Sequence, residues 1–129
     1  RLDMIVEMCR FNPCIRLHIQ SSQMARLMAE SDLAICAGGT MTWERYCMGL
    51  PGLVIAVADN QIELAKTSQR IGVDWYLGES ARVGAEQVRF ALLEAMRSPD
   101  RIRQGQRTAM NRVDGLGAER VADILFGTA

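Results

Sequence analysis

A chain of 129 residues, 49% of them apolar, has the size and composition of one globular domain built round one core. Its 15 Lys and Arg balance 15 Asp and Glu, which leaves no electrostatic footprint for nucleic acid. No apolar run reaches membrane-spanning length, and four cysteines without a C-x-x-C pair, beside a lone His18, argue against a structural zinc site and suit a reducing, cytoplasmic setting.

In chain order, Leu2, Ile5, Val6 and Cys9 recur at helical spacing and predict a first helix ending near Asn12-Pro13. Ile15 to Ile19 reads as a strand. Ser21-Ser22 offers an N-cap for a helix carrying Met24, Leu27 and Met28. Leu33 to Ala37 is a continuous apolar run, the pattern of a strand buried on both faces. Gly38-Gly39-Thr40 then turns the chain into a helix that stops at Gly49, with Pro51 beyond. Leu53 to Val57 is the next strand, Asp59-Asn60-Gln61 opens a helix ending at Gly72, and Val73 to Leu77 is a further strand. Helices follow near 84–97, 99–113 and 118–126, the last two separated by Asp114-Gly115-Leu116-Gly117. The polar stretch holding Arg97, Arg101, Arg103, Arg107 and Arg112 reads as a solvated helix face.

This alternation of short apolar runs and longer helical ones predicts an α/β fold, a Rossmann-like parallel sheet flanked by helices. A doubly wound domain opens with a strand and has about six of them. This chain opens with a helix at Arg1, not at Met, and offers about four strands. It is therefore expected to lack its first βα unit and to be a fragment, with targeting left open.

The stretch from Ala37 to Glu44 carries the chemistry. A strand ends, two glycines permit a tight turn, and a helix starts, so unpaired backbone amides face outward at the carboxyl rim where α/β ligands bind. Thr40 can cap that helix or meet a phosphate oxygen. The plainer reading, a strand-to-helix turn with a capping threonine, weighs about equally on these residues alone. Neither G-x-G-x-x-G nor a P-loop is completed. Glu44 lies four residues after Thr40, on the same helix face, where a carboxylate can accept two ribose hydroxyls. The alternatives for Glu44 are a favourable dipole placement or an ion pair with Arg45 or Arg70. Asn60 and Gln61 fall on the next loop of the same rim and carry amides suited to sugar hydroxyls and acetamido groups; an ordinary helix N-cap by Asp59 or Asn60 is the alternative, and it outweighs the sugar reading for either residue taken singly. His18 is assigned no catalytic role, and the methionines read as core filling.

The run from Asp32 to Glu44, with its T-x-W-E element, then Gly49-Leu50-Pro51 and Ala58-Asp59-Asn60-Gln61, resembles the UDP-sugar hydrolases of pseudaminic acid biosynthesis. Leu17 to Met28 and Val113 to Ala118 look like that family too. Those enzymes cleave UDP from a diacetamido-trideoxy sugar and belong with the GT-B glycosyltransferases, whose C-terminal domain binds the nucleotide. The resemblance implies a single UDP-sugar-binding C-terminal domain over 1–129, with Gly38, Gly39, Thr40 and Met41 at the diphosphate and Glu44 at the ribose. It puts Ile19 and Met24 near the uracil and Asn60 and Gln61 near the sugar. No metal or organic cofactor is expected. The implied partners are UDP or a UDP-sugar and an N-terminal domain of the same protein, which holds the family's general-base histidine. No catalytic residue is therefore assigned, and the fragment alone is expected to be inactive. A true glycosyltransferase of the same architecture and a non-catalytic α/β binding module are the alternative readings.

Overall fold

A computed structural model describes residues 2–127; Arg1 and the two residues closing the expected 1–129 domain, Thr128 and Ala129, lie outside them. Helix α1 covers Leu2–Phe11 and α2 covers Met24–Ala29. The sheet is built from β1 (Ala34–Ala37), β2 (Gly52–Ala56) and β3 (Trp75–Glu79). Helix α3 (Met41–Cys47) joins β1 to β2, and a 3-10 turn at Asp59–Gln61 leads into α4 (Ile62–Arg70) before β3. Three helices follow: α5 (Ala85–Met96), α6 (Pro99–Arg112) and α7 (Gly117–Phe126).

The strands lie in the order β1-β2-β3 and all run parallel, so the α/β expectation is met. Ala34 pairs with Gly52 and Ala37 with Ile55. Parallel neighbours need crossover connections, and α3 and α4 supply them. Between β2 and β3 the register slips after Val54, where Ile55 pairs with Gly78 instead of Leu77. Gly78 takes up the slip at φ +123°, which side chains disfavour.

Leu53 and Val54 of β2 are fully covered, and both α4 and α5 pack against this middle strand. Burying side chains of that size contributes roughly 1.5–3 kcal/mol each. Tyr46, Val73 and Ala109 form a second buried group, which α6 can approach because Gly105 lies against the backbone carbonyls of Gly72 and Val73. The arginines at 97, 101, 103, 107 and 112 are exposed, as a solvated face requires. No helix among the described residues is long and apolar enough to cross a membrane.

Four sequence expectations are corrected. Ile15–Ile19 forms no strand: Ile15, Leu17 and Ile19 are 44%, 38% and 57% exposed. An alternating pattern becomes a strand only beside a partner, and among the described residues β1 pairs with β2 alone. For the same reason β1 is not buried on both faces; it is an edge, and Ile35 is 52% exposed. Ser21-Ser22 does not cap α2, whose N-cap is Gln23; Ser21 Oγ accepts from the Gln23 amide instead. Strand β3 also begins two residues later than expected, because the amides of Val73 and Asp74 bond back to the Ser68 carbonyl of α4 instead of joining the sheet.

Candidate functional site

Helix α3 has two faces with opposite fates. Its inward face carries Thr42, Arg45 and Tyr46, all buried. Arg45 Nη1 and Nη2 donate to the two oxygens of Asp74 at 2.9 and 3.0 Å, and Nη1 also donates to the Leu50 carbonyl at 2.7 Å. Asp74 further accepts the Gly52 amide at 2.7 Å, the Tyr46 hydroxyl at 3.3 Å and the Ser68 hydroxyl. Tyr46 and Ser68 share a hydrogen bond of their own. A Cβ at Gly52 would stand 2.9 Å from Arg45 Nη1, so a glycine is required there.

This network binds α3, the start of β2, α4 and the entry to β3 into one unit. Burial alone would lower the Arg45 pKa, but the hydrogen bonds and charge of Asp74 raise it above its ordinary value. Burial pushes the Tyr46 hydroxyl up to about 12, opposed by its Ser68 bond and assisted by Asp74. Burial also raises the Cys36 thiol against the pull of Arg45, which keeps it protonated and unreactive. The four cysteines are free thiols.

The outward face carries Thr40, Trp43 and Glu44, at the i, i+3 and i+4 positions of one helix surface. Because the sheet is parallel, the turn after β1 and the loop after β2 meet on one carboxyl rim. There Gly38, Gly39, Thr40, Trp43, Asn60, Gln61 and Leu64 line a cleft of about 420 Å³. Among the described residues, the amides of Gly39, Thr40 and Met41 donate to no group of the chain; the first helical bonds start at Thr42, to the Gly39 carbonyl, and at Trp43, to the Thr40 carbonyl. Thr40 makes no side-chain cap, so its hydroxyl is not spent on the helix, and the capping reading of this turn is set aside.

The two glycines differ. A Cβ at Gly38 would come 3.2 Å from Val54 Cγ1, so packing explains that residue. A Cβ at Gly39 would meet only Gln61 Nε2, at 3.6 Å, and its φ is not positive. Nothing in the fold demands a glycine at 39. Gln61 is pinned by its Oε1, which accepts the Val57 amide at 3.0 Å. That bond fixes the amide orientation and turns its NH2 group toward Gly39. Gln61 therefore presents donors beside the turn, while among the described residues no hydrogen bond ties down the Asn60 side chain.

Glu44 is exposed and forms neither of the ion pairs weighed for it, since Arg45 is held by Asp74. It borders a neighbouring groove of about 430 Å³ with Ala25, Met28, Cys47 and Met48, and Trp43 is the wall that this groove shares with the turn cleft. Met24 and the Met41 side chain border a third hollow, beside β1 and Arg45. Ile19 lies on the irregular segment before α2 and borders none of the three. The structure thus gathers Gly38, Gly39, Thr40, Asn60 and Gln61 in one cleft, sets Glu44 next to it, and keeps Met24, Ile19 and the Met41 side chain apart. Trp43 and Leu64 line the cleft as well; the sequence offers Trp43 only as part of the T-x-W-E element, with no role of its own, and does not single out Leu64. The spacing of Trp43 from Thr40 carried the signal; Leu64 carried none. Among the described residues no group of His, Cys, Asp and Glu could hold a metal ion.

The chain is similar to a spore coat polysaccharide biosynthesis protein. That relative, SpsG of Bacillus subtilis (strain 168), is 33% identical over 113 residues. The match takes in 88% of this chain but 33% of SpsG, so the chain spans about a third of the curated relative's length. No protein family profile matches the chain, and no solved structure matches it. The likeness to SpsG agrees with the sequence reading as far as sugar biosynthesis.

Proposed function

We propose that this chain is the UDP-sugar-binding part of a longer enzyme, a hydrolase that releases UDP from a diacetamido-trideoxy sugar. The observation that carries the reading is the cleft at the Gly39–Thr40 turn. The residues lining it include Gly39 and Thr40, whose amides donate to no group among the described residues, the Thr40 hydroxyl and the pinned Gln61 NH2, beside a glycine that folding does not require. Convergent donors with no competing carboxylate in the cleft suit an anion with several acceptor oxygens, and a missing Cβ lets it reach the backbone. A diphosphate is such an anion. Glu44, one turn along the same face and without a partner, is placed to accept the hydroxyls of the attached pentose.

In the whole enzyme these donors would stabilise the charge that builds on the departing diphosphate. As the family resemblance implies, the general base that activates water would come from an N-terminal domain; among the described residues no histidine lines the cleft. The likeness to SpsG, whose name places that protein in polysaccharide synthesis, supports a sugar nucleotide as the ligand. Calorimetric titration of the chain with UDP tests the reading. Binding is expected, with Glu44→Ala weakening it roughly 10- to 100-fold through loss of hydrogen bonds to a charged group. Absence of any UDP binding by the unaltered chain would end the proposal. Unchanged affinity in Glu44→Ala would remove Glu44 from it.

A further inference from the structure

The groove beside Glu44 is walled by three parts of the chain. Helix α2 supplies Met28, α3 supplies Glu44 and Cys47, and the turn between α6 and α7 supplies Val113 and Gly115. That turn lies directly on α3: a Cβ at Gly115 would stand 3.0 Å from Cys47 Sγ, and Gly115 has φ +79°, which side chains rarely adopt. A glycine lets the backbone come this close, one helical turn from Glu44.

The turn is fastened to the start of α7. Asp114 Oδ1 accepts the Leu116 amide at 3.0 Å and Arg120 Nη1 at 3.1 Å, and Oδ2 accepts Arg120 Nη2. The Arg120 amide in turn donates to the Leu116 carbonyl at 3.1 Å. The Arg120 guanidinium and the Leu116 amide hold the Asp114 carboxyl down to about 2, so the pair is ionised at neutral pH. No residue of α7 is buried, so the turn takes its shape from these bonds rather than from a helix packed behind it. Neither Asp114 nor Arg120 borders the groove. We propose that Asp114 and Arg120 are positioning residues for the nucleoside: their ion pair latches residues 113–117 in the shape that walls the Glu44 groove. This rests on the nucleotide reading above, which sets a pentose at Glu44. A turn set loose must be ordered again when the ligand enters, and that cost comes out of affinity.

The test is calorimetric titration of UDP into Asp114→Ala, Arg120→Ala and the double variant, with thermal melts alongside. Each single variant should weaken UDP about three- to fivefold, the range that an exposed ion pair can hold. The two substitutions change the net charge in opposite directions. Simple attraction of an anionic ligand would therefore tighten binding in Asp114→Ala and weaken it in Arg120→Ala, whereas a latch predicts loss in both. The double variant should be no weaker than Asp114→Ala, because one latch is cut only once. Melting should move by less than about 3 °C in all three, since the side chains of Arg120 and Asp114 are 60% and 50% exposed. Tighter binding in Asp114→Ala, unchanged affinity in both single variants, additive losses in the double variant, or losses that come with a collapse in melting temperature would each overturn the latch and leave the nucleotide reading standing. If the unaltered chain binds no UDP, the nucleotide reading falls and the latch falls with it.

Discussion

The two faces of α3 are seven residues of one helix, yet every principle that applies to one is inverted on the other. Inward, Arg45 and Tyr46 are 0% and 2% exposed and their polar atoms are paired, except that among the described residues Arg45 Nε and the Thr42 hydroxyl lack a partner. Outward, the side chains of Thr40, Trp43 and Glu44 make no hydrogen bond or ion pair among the described residues. A buried charge must be paired to exist at all, so the inner face reports on folding. An exposed group costs nothing when unpaired, and donors converging on one cleft beside an unneeded glycine are better explained by a ligand than by stability. Substitutions on the inner face should therefore change stability, and substitutions on the outer face affinity.

The largest effect is expected at Asp74. Asp74→Ala would strand the Arg45 guanidinium, 1% exposed, and release the Gly52 amide together with two hydroxyls. Removing one partner of a buried pair costs about 3–5 kcal/mol, a large share of a small domain's stability. Urea unfolding should show that loss, or no cooperative transition at all. A cost under about 1 kcal/mol would mean that the network is not the fastening described and that the two faces of α3 differ less than claimed.

Much of this contrast was legible in the sequence, and the gaps have physical causes. The turn from Ala37 through Glu44 could be read because glycine, a helix start and an apolar strand are local signals. The parallel rim that joins it to Asn60 and Gln61 followed from the alternation of elements. Arg45–Asp74 was invisible: its partners stand 29 positions apart, and both residue types are usually found at surfaces. Glu44 was weighed against an ion pair with Arg45 because adjacency is all that a sequence displays. Ile15–Ile19 failed as a strand for a different reason. Its alternation is genuine, but pairing belongs to a neighbour and is no property of the segment.

The adjacent glycines sharpen the comparison within two residues. Gly38→Ala sets a methyl 3.2 Å from Val54 in the fully packed middle of the sheet, and an overpacked core typically costs about 1–3 kcal/mol. Gly39→Ala meets nothing closer than a flexible amide at 3.6 Å, so melting should move little or even rise slightly. Its methyl would instead stand where the diphosphate is proposed to touch the backbone, and UDP affinity should fall about tenfold or more by calorimetry. If the two variants behaved alike, with equal loss of stability and no separate loss of binding, the turn would be only a connection between β1 and α3.

The smallest predicted effect is a pH dependence that belongs to the inner face alone. Burial raises the Tyr46 hydroxyl from its ordinary value near 10 to about 12 in the folded state, so between those values the folded chain keeps a proton that the unfolded chain has released. Stability from this group is complete below pH 10 and is lost as pH rises toward 12. Tyr46→Phe has no proton to lose there. Urea midpoints taken across pH 9 to 11.5 should fall more steeply for the unaltered chain than for Tyr46→Phe, while UDP affinity of the variant at neutral pH stays the same. Parallel slopes would mean that the hydroxyl titrates as if in water and that the inner face is open to solvent. The distinction between a face satisfied by its own chain and a face awaiting a ligand would then lose its first half.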